Sequence, residues 1–138
     1  MAALPRQFGA LPWRMTTSLE IFLVTSRETG RWVIPKGWPI KGLTPWAAAA
    51  REAMEEAGVI GEIAEAALGA YSYVKFLKDG QGQPCKVRVF PLKVTQQLED
   101  WPEKHQRIAK WFLGDEAASA VQEPGLARLI RKAQGRLG

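Results

Sequence analysis

The segment Thr44–Gly58, T-P-W-A-A-A-A-R-E-A-M-E-E-A-G, is the most constrained stretch of this chain. Thr44 is a good N-cap, because its hydroxyl can accept from a free amide of the first turn. Pro45 suits the first helical position, where no amide hydrogen is needed. Trp46 to Ala57 is rich in alanine, the best helix former, and Gly58 supplies a C-terminal stop. At about 100° per residue, Trp46, Ala47, Ala50, Ala53, Met54 and Ala57 share an arc of about 120°, the predicted packed side. Glu52, Glu55 and Glu56 fall opposite, within about 100°. Their i,i+3 and i,i+4 spacings make them neighbours.

Three like charges on one patch repel. They also lie toward the helix C-terminus, where cations are preferred. Two readings of the helix alone follow. It is a solvated face on which Arg51 pairs with Glu55 at i,i+4, or it is a cation site. Hard carboxylate oxygens on a rigid element suit Mg²⁺, which is held by a few carboxylates plus water and phosphate oxygens.

The surrounding elements set the fold class. Leu19–Thr25 is apolar and rich in strand formers, and Arg31–Ile34 reads as its short return strand. Pro35–Gly42 holds two prolines and two glycines and is expected to be a loop. Val59–Tyr73 reads as one or two strands. Lys86–Val94 alternates basic and apolar residues up to Phe90, which predicts a strand with one basic face. Pro91 then marks an edge or a bulge. Ala109–Leu113 is one more short strand, and Asp115–Val121 and Pro124–Gln134 read as helices. Mixed strands and helices around one central helix predict an α/β sandwich, one domain over residues 1–138. No apolar run reaches the roughly 20 residues of a membrane span. Met1–Arg14 has no secretory signal pattern, so a cytoplasmic location is expected.

The single cysteine, Cys85, excludes an internal disulfide and reads as a small packed residue beside a strand. A catalytic thiol would need a base, and no spacing ties His105, the single histidine, to it. The net charge of +5 raises nucleic acid as a partner. Much of the excess, however, lies in Arg128, Arg131, Lys132 and Arg136, a solvated helix face by spacing. Nucleic acid is therefore not the expected partner, and neither is a membrane. Oligomeric state is not legible.

Gly37–Val59 resembles the Nudix box, G-x5-E-x7-R-E-U-x-E-E-x-G-U, where U is a bulky aliphatic. Gly37, Arg51, Glu52, Glu55, Glu56, Gly58 and Val59 match at the required spacing. Leu43 stands at the first box glutamate and Ala53 at the first U. The resemblance implies a Nudix-type α/β/α sandwich with a mixed sheet and a central catalytic helix. It implies Mg²⁺ as cofactor, with Mn²⁺ as a substitute, held by Glu52, Glu55, Glu56 and the carbonyl of Lys36. Arg51 is expected to orient a glutamate, and Gly37 and Gly42 to let the loop fold closely around the site. The first box glutamate has a supporting role in the family, so Leu43 bears on rate and metal affinity more than on reaction type. The general base is open between a box glutamate and the loop acids Glu99, Asp100 and Glu103.

The implied reaction is hydrolysis of a phosphoanhydride in a nucleoside diphosphate derivative or related polyphosphate. Val24–Pro39 and Trp101–Phe112 resemble, more loosely, the diphosphoinositol polyphosphate phosphohydrolases and dinucleoside polyphosphate hydrolases. Cations agree with a small-molecule polyphosphate substrate. Arg27, Arg31, Lys36 and Lys41 surround the loop before the helix, and Lys86 and Arg88 share a strand face. Trp38 either stacks on a base or packs the loop. The alternatives are a nucleotide-pool sanitising or ADP-sugar hydrolase, an RNA 5′-end hydrolase, and a non-catalytic nucleotide sensor.

Overall fold

A computed structural model describes residues 4–137. The first three residues and the last, which the expected domain and the reading of the N-terminus include, lie outside that range. Eight strands form one mixed sheet: β1 (Arg6–Met15), β2 (Leu19–Thr25), β3 (Trp32–Val33), β4 (Lys36–Gly37), β5 (Val59–Ile63), β6 (Gly69–Phe76), β7 (Gly82–Gln97) and β8 (Ala109–Leu113). The helices are α1 (Pro45–Ala57), α2 (Gly114–Ala120) and α3 (Pro124–Leu137). The main strand order is β3-β2-β1-β7-β5, with β4 beside β1, β6 beside β7 and β8 beside β2. Only β1 and β7 run parallel; the other pairings of the sheet are antiparallel.

Each sheet face buries its own core. Leu11, Val87, Val89 and Tyr71 pack with Leu126, Leu129 and Ile130 of α3. Ala10, Phe22, Val24, Phe90 and Leu92 pack with Ala49, Ala53 and Ala57 of α1. Neighbouring residues of one strand thus enter opposite cores, as the period of two requires. The expected α/β/α sandwich is the observed one. No helix among the described residues is long and apolar enough to cross a membrane.

Strand β1 was not expected, and Pro35–Gly42 is not all loop. Gly9 and Pro12 hide β1, because both weaken a strand pattern. Pro12 is tolerated because its missing amide falls where β1 changes partner. Phe8 and Gly9 pair with β4, and Trp13 to Met15 pair with β2. The amide of Ala10, on the same edge, reaches the carbonyl of Pro35 at 3.0 Å. Pro91 uses the same device. It lies inside β7, not on an edge strand, where the antiparallel neighbour changes from β6 to β5. Its carbonyl accepts from Ala64 at 2.9 Å, so its ring nitrogen faces that junction.

The ends of α1 follow their signals. The Thr44 hydroxyl accepts from the Ala47 amide at 3.2 Å, and Gly58 is left-handed at φ 67°. Its buried face is turned from the expected one, however. The buried residues are Ala48, Ala49, Ala53, Glu56 and Ala57, while Trp46, Ala47, Ala50 and Met54 are half-buried. An alanine run cannot specify its own facing, since nearly every side of it is equally apolar. Glu56 therefore lies inside, only 7% exposed, and needs partners there.

Candidate active site

Gly37 sits against α1 with no side chain, and a Cβ there would lie 2.5 Å from the Glu52 carboxylate. The matched glycine is thus the space Glu52 occupies. Glu52 and Glu56 line a cavity of about 370 Å³, together with Gln7, Lys36, Tyr73 and Glu103. Lys36 reaches over the Tyr73 ring, its ammonium 4.9 Å from the centroid. The Tyr73 hydroxyl, held protonated by burial, donates to Gln7 Oε1 at 2.6 Å.

The electrostatics are those of a crowded acidic site. Burial first, then Glu55 and Glu103, push the Glu52 carboxyl up to about 7, against Arg107 and Arg51. Burial also pushes Glu56 up to about 7, although Arg107 and Lys36 oppose it. Lys36 is lowered, chiefly by its own burial. Ionising these acids is therefore costly without a cation nearby.

Arg107 is the residue that sequence reasoning missed. Its guanidinium donates to Glu103 Oε1 at 2.9 Å and to the Thr25 carbonyl at 3.0 Å, and lies 3.7 Å from Glu56. Its i,i+4 spacing from Glu103 was the available signal, but the loop did not read as a helix. That loop is fastened to α1. The amide of Glu103 donates to the Glu55 carbonyl at 3.0 Å, and Leu98 to the Gly58 carbonyl at 2.7 Å. The Trp101 ring fills the space where a Cβ of Gly58 would stand. These bonds satisfy carbonyls at the helix end and bring Glu103 beside the box acids. Of the three loop acids, Glu103 lines the cavity and Glu99 and Asp100 do not.

The other expected residues divide. Arg27, Arg31, Lys36 and Gly37 line the cavity, and Lys75 joins them unforeseen. Glu55 is half-buried beside it, while Lys41 and Gly42 are exposed and do not line it. Arg51 is exposed and makes no ion pair within 4.0 Å among the described residues. The buried guanidinium beside a box acid is that of Arg107, 3.7 Å from Glu56. Lys86 and Arg88 do not line the cavity. They share β7's parity with Phe90, on the α1 face, whereas Gln7, Tyr71 and Tyr73 line the cavity from the other parity.

Among the described residues, no three His, Cys, Asp or Glu side chains close into a metal cage by themselves. The donor set nevertheless fits Mg²⁺, which keeps water ligands and shares substrate phosphates. Glu52, Glu55 and Glu56 are hard donors, Gly37 lets the Glu52 carboxylate sit against the loop backbone, and the raised acids are the ones a divalent cation would return to the charged form.

The NUDIX domain model matches residues 3–133. The chain belongs to the Nudix family. Among its relatives, Nudix hydrolase 12, mitochondrial, of Arabidopsis thaliana is 36% identical over 117 residues, covering 83% of this chain and 58% of the relative. This chain thus spans little more than half of that protein. Diphosphoinositol polyphosphate phosphohydrolase 3-alpha of Mus musculus is 32% identical over 120 residues, 85% of this chain and 69% of the relative. The fold is similar to a Caenorhabditis elegans Ap4A hydrolase, with TM-score 0.68, 23% identity and coverage of 99% and 100% of the two chains. It is also similar to the Nudix domain of Shewanella oneidensis NrtR complexed with ADP ribose, with TM-score 0.67, 16% identity and coverage of 100% and 91%. The diphosphoinositol polyphosphate phosphohydrolase relative agrees with the subgroup resemblance, and the two solved structures bear on the fold. Several plant relatives are named mitochondrial, so they lend the expected cytoplasmic location no support.

Leu43 is half-buried, its amide bonded to the Ile40 carbonyl at 3.0 Å in the turn before α1. An aliphatic side chain there cannot hydrogen-bond a metal-bound water. Leu43→Glu should therefore tighten Mg²⁺ binding or raise turnover, since negative charge near the site favours the cation. It should also cost about 1 kcal/mol of stability through lost apolar burial. Mg²⁺ titration of activity, paired with melting of both proteins, checks this. Abolished activity would show that Leu43 belongs to a differently built site.

Proposed function

We propose that this protein is a Mg²⁺-dependent hydrolase of a phosphoanhydride bond, acting on a dinucleoside polyphosphate or an inositol pyrophosphate. The observation that carries the reading is one cavity holding two box carboxylates against a row of cations. Glu52, Glu55 and Glu56, with the Lys36 carbonyl, would hold the metal. When bound, Mg²⁺ neutralises phosphate oxygens and makes a water more acidic. Arg27, Arg31, Lys36 and Lys75 bind and orient the phosphate chain. Arg107 holds Glu56 and Glu103 in place, and Glu103 is the loop acid positioned to accept a proton from the attacking water.

The cavity mouth favours the nucleoside substrate. Trp38 is 43% and Phe76 67% exposed, both line the cavity, and the Lys75 ammonium lies 5.7 Å from the Trp38 centroid. Large exposed aromatics at a phosphate site suit a base, which an inositol ring does not offer.

The test is product release with and without Mg²⁺ on dinucleoside polyphosphates, inositol pyrophosphates, ADP-ribose, oxidised nucleotides and capped RNA. Trp38→Ala combined with Phe76→Ala should raise KM for the dinucleoside polyphosphate by about tenfold or more, from stacking of about 1–3 kcal/mol per base. KM for inositol pyrophosphate should stay unchanged. Equal effects on both would remove the base-stacking role. No turnover on any member would leave a nucleotide-sensing domain.

A further inference from the structure

A second basic group lies on the face of the sheet turned away from Gln7 and Tyr73. Arg6 of β1 is in register with Lys86 of β7, and Arg88 is in register with Phe8 on one side and Ala70 on the other. All three cations are exposed. With Ala67, Gly69 and Ala70 they line a groove of about 310 Å³ that has no acidic lining residue. Among the described residues, none of the three makes an ion pair within 4.0 Å.

These cations are arranged rather than scattered. Neighbouring strands are about 4.8 Å apart, and alternate residues of one strand about 6.6 Å. Three cationic side chains thus rise from backbone positions within the span of a short phosphate chain, and their charges repel unless an anion joins them. The Arg88 guanidinium lies 5.3 Å from the centroid of the fully buried Phe90 ring. An aromatic contact steadies it while leaving its donors free for a phosphate oxygen. The uncharged side chains lining it are only the methyls of Ala67 and Ala70, so an anion can approach closely. No aromatic lines the groove, so a nucleobase finds nothing to stack on.

We propose that Arg6, Lys86 and Arg88 form a second anion site, separate from the reaction cavity, that takes a free phosphate chain of the inorganic tripolyphosphate class. The test uses the ¹⁵N-labelled full chain at low ionic strength with a chelator present, titrated with tripolyphosphate. The expected result is amide shifts at residues 69–72 and 86–88, besides any at the cavity loop 27–37. Lys86→Ser with Arg88→Ser should weaken the first set by about tenfold or more, the loss of at least one charge-assisted contact. The cavity-loop shifts and Mg²⁺-dependent turnover should be unchanged. Arg6→Ser, on the other strand, should weaken the same set independently. The proposal is overturned if shifts are confined to the cavity loop, if they survive both variants, or if the variants lose turnover in step with binding. It is also overturned if a single-stranded oligonucleotide displaces tripolyphosphate at equal phosphate concentration, since the groove would then be a nucleic-acid surface.

Discussion

Glu52→Gln and Glu56→Gln should each lower turnover at least about a hundredfold at fixed Mg²⁺, because each removes one charge from the proposed metal site. Steady-state kinetics at saturating substrate read the effect. A second readout separates lost chemistry from a damaged fold. In the metal-free protein the Glu52 carboxyl is raised from its ordinary value to about 7. Between the ordinary value and about 7, the folded state binds more protons than the unfolded state, so stability falls as pH rises through that window. Glu52→Gln removes this penalty. The metal-free variant should melt higher than the parent at pH 8, and the two should converge toward pH 5. Added Mg²⁺ should stabilise the parent at pH 8 and leave the variant nearly unmoved. Near-normal turnover in both variants would remove the carboxylates from the reaction. Glu56→Gln is the harsher change to the fold, since Glu56 is buried beside Arg107 and does not face solvent as the helical wheel implied.

The features legible in the sequence were those fixed by local rules. Thr44, Pro45 and Gly58 bound α1 because capping depends on a few adjacent residues. The alternation Lys86–Val89 revealed a strand with one basic face for the same reason. What each face meets depends on other strands, so Lys86 and Arg88 were assigned to the cavity when their parity places them on the α1 side. The facing of α1 was likewise invisible, because four consecutive alanines carry no moment. Strand β1 failed on Gly9 and Pro12, whose tolerance depends on β4 and β2 sharing one of its edges. Gly37 was legible as a motif position but not as a space, since the carboxylate filling it comes from the next helix. Glu103 stood among three loop acids until the bond from its amide to the Glu55 carbonyl singled it out.

Arg107→Met should cost about 3 kcal/mol at pH 8, a loss on the order of 10 °C in melting temperature. Arg107 joins three groups from separate parts of the chain: Glu56 of α1, Glu103 of the loop and the Thr25 carbonyl ending β2. Its side chain is 10% exposed and that of Glu56 8%. Removing it strands Glu56 in a site that already disfavours its charge, and the stranding, rather than a lost attraction, dominates the cost. Methionine keeps most of the apolar stem, so the charge is what the variant tests. The pH dependence identifies the cause. Without Arg107 the Glu56 carboxyl rises further above about 7, because the guanidinium is the largest influence lowering it. Protonation then relieves the stranded charge at low pH, so the difference in melting temperature should shrink markedly between pH 8 and pH 5.5. Arg107→Lys retains the charge without the fork and should recover part of the stability but little turnover, since one ammonium cannot hold Glu56, Glu103 and Thr25 in that geometry. A melting temperature within about 1 °C of the parent at pH 8 would make Arg107 a bystander. A loss equal at both pH values would assign its role to packing and to the Thr25 bond, and not to the acids it touches.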